Sequence, residues 1–368
     1  MSTEPRDKVF ALLGLVYDSA LYIPVPNYKQ SIRDICISMT ISAMSTNSSL
    51  DIIPVLAPFS DRSLLPSWCP NWFALDKSSL LRQTGYLLRK SPILSHWSPW
   101  DDEYRIIHQS TVGTEAKFTV AKDVLNNDIV RLSGFPLDHI ATIIHSHVGN
   151  GKGVSVAADP ALPGTLETNP YGREASLVNR IASSLACGDV MLGRHFDFQR
   201  DIVEYWGESC QDSWFFTATD LTDDYEYARR WVRAAGSLLI RGRSVTEWIN
   251  SQPWSAEFVE NCQEYTKHRA KNIVKYLAMA KTEGVAFMST RSGYVGWAYN
   301  GAEPGDSIYL LAGCSVPVIL RPRAAGGYTI LGYAHVQGVM DGEIMKLRSE
   351  SQETRGIWEG NWVDLDIY

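Results

Sequence analysis

GYVGWAYNGAEPGDSIYLLAGCSVPVILRP, residues 293–322, is the stretch that decides the fold class. Within it Gly293 to Trp297, Ser307 to Gly313 and Val316 to Arg321 gather β-branched and aromatic residues into short runs bounded by turn residues, the pattern of strands. Pro304-Gly305-Asp306 sits between the first two runs and supplies the fixed φ and the glycine freedom that a tight turn needs. Working outward, Gly284 to Met288 reads as a strand on one side. On the other side Ala325-Gly326-Gly327 is a turn leading to strands at Tyr328 to Tyr333 and His335 to Val339. Short strands at this near-regular spacing predict a small antiparallel barrel or curled sheet over residues 284–368.

Upstream the periodicity changes. Glu174 to Leu192, Asp223 to Ala235, Val245 to Ser251 and Ala256 to Ala280 carry helical patterns, the last with Phe258, Cys262, Tyr265 and Val274 on one face. Residues 148–173 are rich in Gly, Pro, Asn and Ala without a period and are expected to form a loop or lid. Earlier still, Lys8 to Leu13 predicts a helix ending at Gly14. Lys29 to Ala43 predicts an amphipathic one through Ile32, Ile35, Cys36, Met39 and Ala43. Tyr22 to Pro26 is extended because Pro24 and Pro26 disfavour helix before them, and Asp51 to Leu56 reads as a short buried segment. Phe118 to Ala121 and Ile129 to Phe135 alternate as strands, continued by an extended or mixed stretch over Leu137 to Ile143. The expected class is α+β: an N-terminal α/β part (1–147), a mainly helical centre (148–283) and the closing β part (284–368), expected to form one compact unit.

Composition removes several functions. Hydrophobic residues at 45% against 20% charged mark a globular chain, and a net charge of −7 with scattered Lys and Arg argues against nucleic acid. The N-terminal MSTEPRDKVF has no apolar run of a secretory signal. The longest apolar stretch, Tyr309 to Leu320, falls short of a membrane span. The six cysteines form no CxxC pair, which reads as free thiols in the cytoplasm.

The candidate chemistry is sparse. Cys314 and His335 could pair as thiolate and base, but a cysteine after Gly313 between strands is more simply a small packed residue. His145 and His147 share one face if extended, yet lack a third ligand at a supporting spacing, and Asp138 and His139 point to opposite faces of a strand. Gly149-Asn150-Gly151-Lys152-Gly153 imitates a phosphate loop without the following Ser or Thr and helix. No metal, nucleotide or other cofactor is implied. The aromatics remain: Trp68, Trp72, Trp97 and Trp100 in Pro-containing loops, and Trp297 and Tyr299 at the end of a strand.

Several strings in order resemble one family: RDKVFALLGL (6–15), NYKQSIRDICISM (27–39), LDIIPVLAP (50–58), LPSWCPNW (65–72), IVRLSGFPLDHIATI (129–143), the stretch 293–322 and YTILGYAHVQGVMDGE (328–343). Together they are similar to the region that follows the effector domain in fungal heterokaryon-incompatibility (HET) proteins. The resemblance implies an N-terminal domain related to Toll/interleukin-receptor folds ahead of RDKVFALLGL. Met1 stands only a few residues before that point, so the expectation is a C-terminal body without the effector. The resemblance supplies no catalytic residues.

Two functions fit. One is a stand-alone HET-like module that recognises a protein partner or a hydrophobic small molecule. The other is a cofactor-independent cyclase or isomerase of fungal secondary metabolism, acting on a polyketide or terpenoid in an aromatic-lined pocket. Either would use a site where the 65–100 loops, the 145–173 loop and the closing sheet meet. His147 and His335 are the candidate catalytic groups there, and Trp72, Trp297 and Tyr299 the candidate binding aromatics.

Overall fold

The structure is a computed structural model that describes residues 4–15, 19–56, 65–73, 109–111, 114–145, 154–156, 170–171, 177, 180–181, 184, 227, 230–231, 234–250, 285–299, 301–345 and 362–368. In chain order the described elements begin with α1 (Asp7–Phe10), α2 (Ile32–Asn47), α3 (Ile52–Leu56), β1 (Phe118–Lys122), β2 (Asp128–Ile144) and β3 (Val154–Val156). They continue with β4 (Leu239–Ile240), β5 (Arg243–Ser244), α4 (Val245–Asn250), β6 (Val285–Thr290) and β7 (Val295–Tyr299). The last are β8 (Ser307–Leu311), β9 (Val318–Pro322), β10 (Tyr328–Val336) and β11 (Val363–Ile367). Among the described residues, no helix is long and apolar enough to cross a membrane.

The chain divides into two compact units. The first comprises Met1–Leu137, Asp306–Ala334 and Gly338–Tyr368. Its strands form a ring: β2 pairs with β8, β8 with β9, β9 with β10, β10 with β11, and β11 returns to β2, while β1 adds to β2 outside the ring. All these pairings for which a direction is given are antiparallel except β10–β11, which meets in parallel at Tyr328↔Ile367 alone. In β2 and β11, Val130, Leu132, Leu365 and Ile367 are buried while Arg131 and Asp366 turn outward, the period of two of a one-sided strand, whereas β8 is buried throughout. β10 carries an irregularity between Ile330 and Gly332, so one residue there has no partner on β9. Asp306, 3% exposed, receives both Nε and Nη2 of Arg321 at 2.8 Å, tying the start of β8 to the end of β9.

Helix α2 lies in the same unit. Its Ser31 cap accepts from the Asp34 N–H at 3.1 Å and donates back to the Asp34 carboxylate at 2.6 Å, satisfying a first-turn donor. Ile35, Cys36, Met39, Thr40, Ala43 and Met44 make the buried stripe, and Ser48 ends the helix at φ 48°.

The second unit comprises Asp138–Gly305 and His335–Gln337. The last residues of β2 pair with β3 through Thr142↔Val156 and with β6 through Ile143↔Met288, and β6 pairs with β7 from Val285↔Tyr299 to Ser289↔Val295. Gln337 donates to the Val295 carbonyl at 3.0 Å. Beside it a Cβ added to Gly296 would lie 1.9 Å from the His335 carbonyl oxygen, so only glycine lets these two backbones approach. β4 and β5 turn through Arg241 and Gly242, both at positive φ (52° and 78°), as a two-residue hairpin demands. Thr142 and Ser289 hydroxyls both donate to the Leu239 carbonyl (3.0 and 2.7 Å), pinning that hairpin.

Four expectations need correction. The strand runs 129–135 and 137–143 are one strand, β2, which continues through the exposed Pro136. Likewise 328–333 and 335–339 are a single strand through residue 336. The 148–173 loop contains β3, which borrows its order from the β2 edge. The ring is also not built from 284–368 alone: β2 supplies one member, β6 and β7 belong to the second unit, and β11 was not foreseen. Most of the expected helical centre lies outside the described residues, although Leu177, Arg180, Ile181, Ser184, Tyr227, Arg230 and Trp231 have helical backbone.

Candidate functional site

Trp297 is 1% exposed at the heart of the second unit. Trp231 stacks on it at 5.4 Å with 15° between planes, and Phe287 meets it edge-on at 5.4 Å. Its N–H donates to the Ser184 carbonyl at 2.8 Å. Both its apolar surface and its polar handle are taken by protein, so this indole stabilises the unit by packing. Tyr299 is half-buried at the end of β7, and His335 is buried near the end of β10. Trp72 belongs to the first unit, where its N–H donates to Thr40 Oγ1 at 3.1 Å. His147, Trp97 and Trp100 lie outside the described residues.

Nearby in the second unit, Tyr171 accepts from the Val295 N–H at 3.0 Å and donates to the Gln337 carbonyl at 3.1 Å, joining the two adjacent strands. It meets Tyr294 edge-on at 5.6 Å. Burial pushes the Tyr294 phenol up to about 12, and the Asp138 carboxylate adds to this. That phenol stays neutral and serves as a hydrogen-bonding group at ordinary pH.

The described thiols are poor nucleophiles. Burial raises Cys36 to about 11 and Cys69 to about 12. Cys314 is raised well above the ordinary thiol range by full burial and then by the Asp51 carboxylate beside it. Asp51 also accepts the Ser315 N–H at 2.7 Å, and the Cys314 carbonyl takes the Thr111 hydroxyl at 2.6 Å. Cys314 is the small packed residue that the sequence favoured, and the carboxylate beside its thiol opposes thiolate formation. Among the described residues no group of three or more His, Cys, Asp and Glu could hold a metal ion.

Asp128 of the first unit is held by two cations. It is 8% exposed and receives Arg33 Nη1 and, at 2.6 Å, Lys122 Nζ. Burial alone would lift its pKa, but the hydrogen bonds and charges of Lys122 and Arg33 outweigh that and hold it below the usual carboxylate range. Trp68 N–H donates to its carbonyl at 3.4 Å.

The feature that sequence reasoning missed is a set of exposed apolar side chains between residues 15 and 28 of the first unit, called the ledge below. Leu15 is 78% exposed, Leu21 57%, Val25 85% and Tyr28 54%. The backbone beneath is fixed. Ile23 is buried and bonds to the Ser19 carbonyl at 2.8 Å, Tyr28 donates to Asp7 at 2.8 Å and packs edge-on against Phe10 at 5.4 Å, and Arg6 reaches the Gln30 carbonyl at 3.1 Å. The signal available in sequence was LYIPVPNY (21–28), where Pro24 and Pro26 disfavour helix and leave apolar residues without a helical stripe that would bury them together.

Comparison with known proteins places part of the chain. The family model for the Het-6 β-barrel domain matches residues 220–354. The chain is also similar to heterokaryon incompatibility protein 6, OR allele, of Neurospora crassa, at 32% identity over 72 residues, or 19% of this chain and 11% of that protein. The chain therefore spans only a small part of that relative's length. No solved structure matches. The chain is thus similar to heterokaryon-incompatibility proteins at the level of this β-barrel domain.

Proposed function

We propose that this protein is a recognition module of the heterokaryon-incompatibility family and engages a protein partner through the ledge formed by Leu15, Leu21, Val25 and Tyr28. The observation that carries this is the exposure of those side chains, 54–85%, on a backbone held at both ends. Apolar groups left in water on a fixed scaffold bind with little ordering cost, whereas a floppy segment would pay that cost on association. The filled faces of Trp297 favour a protein partner over a small molecule enclosed in the second unit. Buried free thiols at Cys36, Cys69 and Cys314 suit a reducing compartment, and the cytoplasm is the proposed location.

The test is affinity capture from a filamentous-fungal lysate with the wild-type chain and a Leu15→Glu/Leu21→Glu/Val25→Glu variant of unchanged melting temperature. The expected result is a protein retained by the wild type and lost by the variant. Retention of the same proteins by both would refute the ledge.

A further inference from the structure

The turn between β6 and β7 in the second unit gathers arginines. Arg291 directly follows β6, and its backbone N–H donates to the His139 carbonyl at 3.0 Å. Its side-chain Nε is buried and has no hydrogen-bond partner. Arg241 comes from a different hairpin, the one between β4 and β5. Its Nη1 donates at 3.3 Å to the carbonyl of Ser292, the residue after Arg291. A third guanidinium, Arg180, lies 5.9 Å from the centre of the Tyr171 ring, which packs edge-on against Tyr294 at the end of the turn.

Two local features bring Arg241 there. It stands at φ 52°, where glycine or asparagine is the easier residue, so arginine holds the position at a conformational cost. Gly293, at φ 99°, leaves the room its stem needs, since an added Cβ would lie 2.8 Å from Arg241 Cδ. The carboxylate of this turn does not answer Arg291. Asp138 accepts the His139 N–H at 2.7 Å on one oxygen and the Ser292 N–H at 2.9 Å on the other. Among the described residues no carboxylate pairs with Arg291 or Arg180. A buried donor without an acceptor costs free energy, and a neutral acceptor such as water would satisfy the bond but leave the charge uncompensated.

We propose that this turn is an anion site that takes a phosphate group, either free or as the monoester of a small molecule. Arg291 presents the unanswered donor, Arg241 the second positive charge, and Arg180 stands at the margin. A carboxylate is planar and matches one guanidinium fork. A tetrahedral phosphate carries close to two negative charges and offers oxygens to arginines that arrive from two different hairpins. The turn belongs to the second unit, so its role is independent of the ledge on the first.

Equilibrium dialysis of radiolabelled inorganic phosphate against the full chain tests this. The expected result is saturable uptake with a Kd on the order of 1 mM or tighter, the range that a few charge-assisted hydrogen bonds give. Arg291→Gln should weaken it at least about tenfold, while Arg131→Gln on the first unit leaves it unchanged. Phenyl phosphate in competition separates the sources: tighter binding than inorganic phosphate identifies a monoester, and weaker binding identifies the free ion. A second measurement needs no variant to fold. Phosphate should protect Arg291 of the wild-type chain from phenylglyoxal, read by peptide mass mapping, and should not protect Arg131. No saturable uptake, equal uptake by Arg291→Gln, or equal modification of Arg291 with and without phosphate would overturn the site. Acetate competing as well as phosphate would overturn phosphate as the ligand class.

Discussion

In the second unit Trp231, Phe287 and Trp297 cover one another's faces, and even the Trp297 N–H is used internally. In the first unit Leu15 and Val25 stand 78% and 85% exposed beside equally apolar residues that are buried, such as Ile23 and Phe10. The same kinds of side chain serve packing in one place and stand in water in the other. What separates them is whether neighbouring backbone delivers a partner surface. In the second unit β6 and β7 bring Phe287 and Trp297 directly opposite each other. Around Leu21 to Tyr28, prolines disfavour helix, and among the described residues no regular strand pairing brings a partner surface over Leu21 and Val25. An abundance of aromatic and apolar residues therefore marks a site only where the structure leaves their faces open.

Substitutions should separate the two regions by size of effect. Trp297→Ala should cost about 3–5 kcal/mol in denaturant unfolding, since it removes a fully buried indole and leaves a cavity between Trp231 and Phe287. A loss under about 1 kcal/mol would show that the cluster is not core. Asp128→Asn should cost about 1–2 kcal/mol, below the figure for a fully buried pair because Arg33 is 35% and Lys122 51% exposed. Because Asp128 titrates below its unfolded value, its contribution is complete above the ordinary carboxylate pKa of about 4 and disappears as pH falls through the lower folded pKa. Wild-type and variant stabilities should converge on acidification, as followed by thermal melts across a pH series. Ser31→Ala should cost about 1 kcal/mol, seen as a lower melting temperature, by freeing the Asp34 N–H at the start of α2.

Parts of this were legible in the sequence. The strands of 293–322 were readable because turn residues bracket short β-branched runs, and α2 because Ile35, Cys36, Met39 and Ala43 repeat at helical spacing. β11 shows the limit. VDLDI alternates apolar and acidic residues in strict period two, but the strand becomes necessary only once β2, far away in sequence, is known to leave an edge open. Trp72, Trp297, Tyr299 and His335 were singled out for their chemistry alone. Which faces of Trp297 are free depends on Trp231 and Phe287, and periodicity carries no such information. The division between units, with Trp72 in one and the other three in the second, likewise depends on long-range pairing.

Calorimetric titration of the captured partner against the wild-type chain and Leu15→Glu/Val25→Glu bears most directly on the ledge. Both positions are exposed, so each change should alter folding stability by no more than about 0.5 kcal/mol. The account predicts a Kd at least about tenfold weaker for the variant, the usual consequence of placing charge at the centre of an apolar contact. An unchanged Kd at equal stability would contradict it.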